Sequence, residues 1–239
     1  MPLIHIIPEH PDNPYRMGRH RFLTEALPAS LNATKSSSSM SDIIQSVDHE
    51  EYEPVFNQGG LGSCTANAAL GCLVTAPYAR SGVSYTEDDA IQLYEVETAL
   101  DAYVFGGKHY PPDDTGSTGP WSMMALQQTG KIDGFVHTTS AHTALRLLNS
   151  GPISIGIQWY KSMFTPDASN NIHVDESSGV AGGHQVCVIS NDVSSQRIKI
   201  RNSWGANWGN QGHAWLSWGD FDFLLQNGGD VVQPVIEED

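Results

Sequence analysis

Cysteine is scarce: 239 residues carry three, Cys64, Cys72 and Cys187. So small and odd a set excludes a disulfide framework and fits a reducing compartment. Basic residues are also few, 12 Lys and Arg against 27 Asp and Glu, for a net charge of −15. Such a chain repels phosphate backbones and anionic lipid, which argues against nucleic acid and membrane as partners. No apolar run approaches the ~20 residues of a membrane-spanning helix. The opening MPLIHIIPEHPDNPYRM lacks the basic leader of a secretory signal, so a cytoplasmic location is expected. Charged residues make up only 16 %, against the roughly 25 % usual for soluble domains. The 39 % of hydrophobic residues nevertheless suffices for a sizeable core. The acidity reads as a solubility device.

Residues 1–50 show little regular pattern: Pro2, Pro8, Pro11 and Pro14 recur, and TKSSSSMS (34–41) has linker composition. The apolar residues of HRFLTEALPASL want cover, so this stretch is expected to be an arm packed on a globular unit spanning 51–239. Within that unit, TANAALGCLVTA places Ala68, Leu70, Cys72 and Leu73 on one helical stripe. SYTEDDAIQLYEVETALDAY is a second helix, opened by the Thr86–Asp89 start signal. KHYPPDDTGSTGP (108–120) is loop, its PPDD expected to be solvated. Two short helices follow, WSMMALQQTG and SAHTALRLLNSGP, stopped by Gly130 and by Gly151–Pro152. The period then changes to two, giving strands in ISIGIQWY (153–160), GHQVCVIS, RIKIRNSW and GHAWLSW, the middle pair joined through the turn-rich NDVSSQ. Helices first and strands second predict an α+β fold, with a helical lobe over about 60–130 and a β lobe over about 131–225.

The stretch NQGGLGSC (57–64) puts a thiol where a glycine-rich turn becomes a helix. A thiolate is a strong nucleophile, and the unpaired N–H groups of a helix start favour it. Gly59, Gly60 and Gly62 leave room beside it for a substrate. A base must then be at hand. His184 follows Gly182 and Gly183 and opens an apolar strand, and Asn202 lies on the next strand of the expected hairpin. An amide oxygen on one imidazole nitrogen fixes the tautomer and turns the other nitrogen to the thiol. Trp204 is placed to shelter that bond from water. The other histidines show no ligand spacing such as H-E-x-x-H, so no metal or other cofactor is implied. Cys72 and Cys187 read as small buried hydrophobes.

Together these blocks resemble the papain-like cysteine peptidases. PVFNQGGLGSC is similar to the family's Gln, Gly-rich turn and Gly-Ser-Cys core, GGHQVCVIS to its His strand, and RNSWGANWGNQGHAWLS to its Asn-Ser-Trp-Gly block. ALRLLNSGPISIGIQ is similar to the helix-then-strand segment between them. The resemblance implies a two-lobe fold, helices against a β-barrel-like lobe, with the cleft between. It also implies a nucleophile at Cys64, its partner at His184, an orienting Asn202, and an oxyanion donor in Gln58 beside the Cys64 backbone N–H. Substrate contacts would come from Gly62, Ser63, Gly116, Gly119, Gly183 and Trp204. Leu61 stands where secreted members carry Cys, Thr65 where they carry an aromatic residue, and TGSTGPW replaces their Gly-Cys-x-Gly-Gly element. These departures suggest a disulfide-free bacterial, phage or viral branch. The implied partner is a peptide or protein substrate. Three rivals use the same residues: a cell-wall peptide hydrolase, an inactive peptide-binding relative, and a transferase passing the acyl group to an amine. Neither the oligomeric state nor the specificity pocket is legible.

Overall fold

A computed structural model describes residues 4–9, 12–22 and 43–237. The Ser-rich segment 34–41 and most of HRFLTEALPASL lie outside the described residues. The first helix, α1 (Cys64–Leu73), is buried all round, not along one stripe. Its small residues Ala66, Ala68, Ala69 and Gly71 let it lie between two layers; a Cβ on Gly71 would sit 3.1 Å from Cys187 Cβ. On one side lie α2 (Glu87–Asp101) and α3 (Gly119–Gln128), enclosing Leu70, Leu93, Tyr94, Met123 and Leu126. The Thr86–Asp89 signal forms a complete capping box: the Thr86 N–H donates to Asp89 Oδ2 at 2.8 Å and the Asp89 N–H to Thr86 Oγ1 at 3.4 Å.

On the other side lies a mixed, mostly antiparallel sheet. Its strands in chain order are β3 (Val47–Asp48), β4 (Gly134–Thr138), β5 (Ile153–Tyr160), β6 (Asn171–Ile172), β7 (Val180–Asp192), β8 (Arg197–Arg201), β9 (His213–Ser217) and β10 (Asp230–Val235). In space they run β4-β10-β5-β7-β8-β9-β6, with β3 added on β7. The sheet is open: among the described residues its end strands β4 and β6 do not meet, so the barrel-like lobe expected from the resemblance is an open, mostly antiparallel sheet. Its core holds Ile153, Ile155, Ile157, Val186, Val188, Ile198 and Leu216, closed by α4 (Ala141–Leu147) and α5 (Trp218–Gln226). β5 was expected to alternate, and its sequence does, yet seven of its eight residues are buried and one is half-buried. It is a central strand, and its polar positions face inward: Ser154 Oγ accepts from Gln185 Nε2 at 2.8 Å. Among the described residues no helix is long and apolar enough to cross a membrane.

The arm is part of this body. A short ribbon, β1 (Ile4–His5) with β2 (Arg21–Phe22), brackets a loop whose Ile7 and Met17 are buried. PPDD is not a solvated loop throughout: Asp114 accepts from the Gly62 N–H at 3.1 Å, Tyr94 Oη at 2.7 Å and Arg16 Nη2 at 2.9 Å. Three chain segments converge on that carboxylate, which outweighs the turn-like composition around it.

Two further carboxyl groups lie beneath α1. Glu97 is buried and accepts from Thr65 Oγ1; Asp101 is buried and accepts from Ser117 Oγ at 2.8 Å. Burial pushes Asp101 from its ordinary 3.8 up to about 7, partly offset by the Ser117 hydrogen bond. The fold therefore prefers the protonated form. That contribution is complete below 3.8 and is lost as pH rises through about 7. Asp101→Asn is expected to remove this dependence: in urea unfolding across that interval, the variant should lose less stability than the parent, by a few kcal/mol at most.

Candidate active site

Cys64 is the first residue of α1, with Ser63 at the N-cap. The preceding turn is strapped to the Asn202–Trp204 block, for the Gln58 N–H donates to Ser203 O at 2.9 Å and the Gly205 N–H to Phe56 O at 3.0 Å. β7 passes beneath, bringing the backbone of Gln185, the residue after His184, near the Cys64 sulfur. His184 is fully buried, and its Nε2 lies 2.8 Å from Asn202 Oδ1. That oxygen also accepts from the Ser203 N–H at 2.8 Å, which sets the amide's orientation. An oxygen can only accept, so Nε2 carries the hydrogen and Nδ1 is left as the basic nitrogen. Nδ1 is buried and has no hydrogen-bond partner among the described residues. Trp204 stacks on the imidazole at 4.4 Å and 17°, and Trp159 meets its edge at 5.1 Å and 87°. The two indoles remove water from the His184–Asn202 bond.

Gln58 is buried, and its amide is held from both ends. Oε1 accepts from Ser203 Oγ at 2.7 Å, while Nε2 donates to Leu61 O at 2.9 Å and reaches Met17 O at 3.4 Å. Met17 belongs to the arm, which fills the groove. The Ser117 N–H donates to Gly18 O at 2.9 Å, the His20 N–H to Ser117 O at 2.8 Å, and the Arg19 N–H to Gly183 O at 3.0 Å. Tyr15 stacks on Trp204 at 4.4 Å, and Trp204 Nε1 donates to Arg16 O at 3.1 Å. At the closest approach only Gly18 fits: its φ is +135°, and a Cβ there would lie 2.2 Å from Gly62 O.

The enclosure governs charge. Burial pushes the Cys64 thiol far above its usual range, against the lowering effect of the Gln185 N–H. Burial lowers His184 to about 4, only partly offset by Asn202. With the arm in place, thiol and imidazole are both neutral near pH 7.

A sequence model of the papain family cysteine proteases matches residues 41–223. The chain belongs to that family. It is 24 % identical over 190 residues to Cathepsin L 2 of Paramecium tetraurelia, covering 71 % of this chain and 57 % of the relative, so it spans a little over half the relative's length. Among solved structures it is similar to xylellain, a cysteine protease from Xylella fastidiosa (TM-score 0.66, 16 % identity, 95 % of this chain and 99 % of that one). It is also similar to proCathepsin B S9 from Trypanosoma congolense (TM-score 0.62, 11 % identity, 93 % and 87 % of the chains). At such identities the structural likeness concerns the fold, α+β with papain-like lobes.

Of the residues singled out from sequence, His184, Asn202 and Trp204 are in direct contact and Gln58 is tied to them through Ser203, whereas the Cys64 sulfur makes no hydrogen bond to His184 among the described residues. Gly62, Gly116 and Gly183 line the path of the arm; a Cβ on Gly116 would lie 2.2 Å from Gly18 O, and one on Gly183 2.0 Å from Arg19 O. Gly119 instead faces inward, where a Cβ would meet Gln185 Nε2 at 2.7 Å. Ser63 also turns away from the groove, its hydroxyl and carbonyl accepting from Asn67 Nδ2 at 3.1 and 2.8 Å. Sequence reasoning missed Ser117, whose backbone pairs with the arm, and Ser203, which fixes Gln58. Ser203 was visible inside RNSWG; nothing around Ser117 marks an exposed backbone edge. A bulky residue at Gly18 cannot fit, so Gly18→Val is expected to displace the arm. Labelling of Cys64 by iodoacetamide, followed by intact mass, should then be at least about tenfold faster than in the parent chain.

Proposed function

We propose that the chain is a cysteine endopeptidase, latent while its own arm lies in the groove. The observation that carries this reading is the arm itself. A polypeptide backbone runs through the groove past Cys64, paired on one side to Gly183 and on the other to Ser117. It presents the Met17 carbonyl to Gln58 Nε2. A groove that holds an extended chain in mid-length suits an endopeptidase. Two structural neighbours, the pro-form of a Trypanosoma cathepsin B and a procathepsin L from Tenebrio molitor, are by their names precursors, which fits an occupied cleft.

When the arm leaves, water returns, the burial penalty falls, and the helix start favours a thiolate at Cys64 beside an imidazolium at His184. The sulfur attacks the carbonyl carbon of a peptide bond. Charge gathers on the carbonyl oxygen, which takes the place of Met17 O at Gln58 Nε2 and the Cys64 backbone N–H. As the intermediate collapses, His184 Nδ1–H protonates the leaving amine and a thioester remains. Water then attacks the thioester, giving its proton to Nδ1, and the acid departs. Asn202 keeps Nε2–H fixed throughout, so the ring does not turn. Ser203 acts one step back, as the positioning residue for Gln58.

Once Gly18→Val has displaced the arm, hydrolysis of denatured protein and labelling by a thiol-directed epoxide should appear and both should vanish on adding Cys64→Ala; unchanged turnover there would sink the reading. Ser203→Ala should lower kcat by roughly ten- to a hundredfold with KM nearly unchanged, because it disturbs an interaction made to developing charge. Ser203→Thr, which keeps the hydroxyl, should restore most of the rate.

A further inference from the structure

By sequence Cys72 and Cys187 are small buried hydrophobes 115 residues apart; the fold brings their sulfurs to 3.6 Å. Both thiols are free and buried. Cys72 lies on α1, the helix that begins with Cys64, and Cys187 lies on β7, the strand that carries His184. Helix and strand come this close because Gly71 has no side chain: a Cβ there would meet Cys187 Cβ at 3.1 Å. Ile189 and Tyr78 pack around the two sulfurs. On the neighbouring strand Arg201 pairs with Cys187. Burial pushes the Cys72 thiol well up, and the Arg201 charge acts in the opposite sense. The arm is anchored to the sheet by a buried ion pair, Arg19 Nη2 on Asp230 Oδ1 at 2.6 Å. α1 meets the sheet sulfur to sulfur.

We propose that Cys72 and Cys187 are a redox site, a dithiol that a small disulfide such as glutathione disulfide converts to a cross-link between α1 and β7. A disulfide holds its sulfurs at about 2.05 Å, so the pair must close by roughly 1.5 Å, which small rotations about the two Cα–Cβ bonds can supply. The Cys72 thiolate attacks one glutathione sulfur, forming a mixed disulfide and expelling glutathione thiolate. The Cys187 thiolate then attacks the Cys72 sulfur, forming the protein disulfide and expelling the second glutathione. The two protein thiols give up two protons and two electrons, and one glutathione disulfide becomes two glutathiones. Burial of Cys72 disfavours its thiolate in the closed fold, so exchange proceeds when the helix lifts from the strand, and the product is trapped when it returns. The cross-link ties the element that carries Cys64 to the one that carries His184 and consumes neither residue. Because it joins positions 115 residues apart, it removes much of the unfolded chain's freedom. The inference does not depend on the peptidase reading.

For the test, the full chain is equilibrated in glutathione buffers from fully reduced to fully oxidised, at a urea concentration just below unfolding, then unfolded and alkylated with iodoacetamide. In the oxidised buffers Cys72 and Cys187 should both escape alkylation and be recovered by mass spectrometry joined in one peptide pair. With urea removed, the oxidised chain should melt on the order of 10 °C above the reduced one, and dithiothreitol should erase the difference. Cys72→Ala and Cys187→Ala should each lose that oxidant-dependent rise. The proposal is overturned if both cysteines are alkylated in the most oxidising buffer, if each carries glutathione instead of the other, or if the cross-linked chain melts no higher than the reduced one. Should neither alanine variant fold, the cross-linked peptide and the dithiothreitol-sensitive Tm of the parent chain decide the question.

Discussion

The hydrogen bond from His184 Nε2 to Asn202 Oδ1 is made where neither residue can turn to water, and the rest of the site is arranged around that restriction. Asn202 Oδ1 is fixed by the next residue's N–H, and Ser203 then uses its hydroxyl to hold Gln58. Orientation passes along consecutive residues, from the imidazole to its amide and on to the Gln58 amide. Because β7 carries His184 and α1 carries Cys64, the pair depends on α1 lying flat on the sheet. The all-round burial of α1 and its run of small residues secure that contact. A polar cluster this enclosed strengthens each bond by excluding water, and leaves each unpaired atom correspondingly expensive.

The same enclosure separates resting from working chemistry. Burial disfavours charge on both the Cys64 thiol and the His184 imidazole while the arm is in place. The arm sets Gly18 against Gly62 and lays Tyr15 on the indole that shelters the imidazole.

Local pattern carried much of this and failed at identifiable places. The thiol at a turn-to-helix junction, the capping box of α2 and the period of β7 and β8 are properties of short windows, and each was readable there. β10 and α5 were not. DVVQPV contains Pro234, which weighs against a strand, yet it pairs with β4 and β5, a placement decided by residues about 75 to 100 positions away. The arm was harder still. Its prolines and polar residues have no period of their own, because its conformation is dictated by the groove; only the expectation of a packed arm was available. Asp114, Ser117 and Asp230 share this character: ordinary residues made important by partners distant in sequence.

β10 lies inside the sheet, between β4 and β5, and begins with the carboxylate that receives Arg19. Cys64, His184 and Asn202 all precede it in the chain. On a ribosome Cys64, His184 and Asn202 therefore emerge before the carboxylate that receives Arg19.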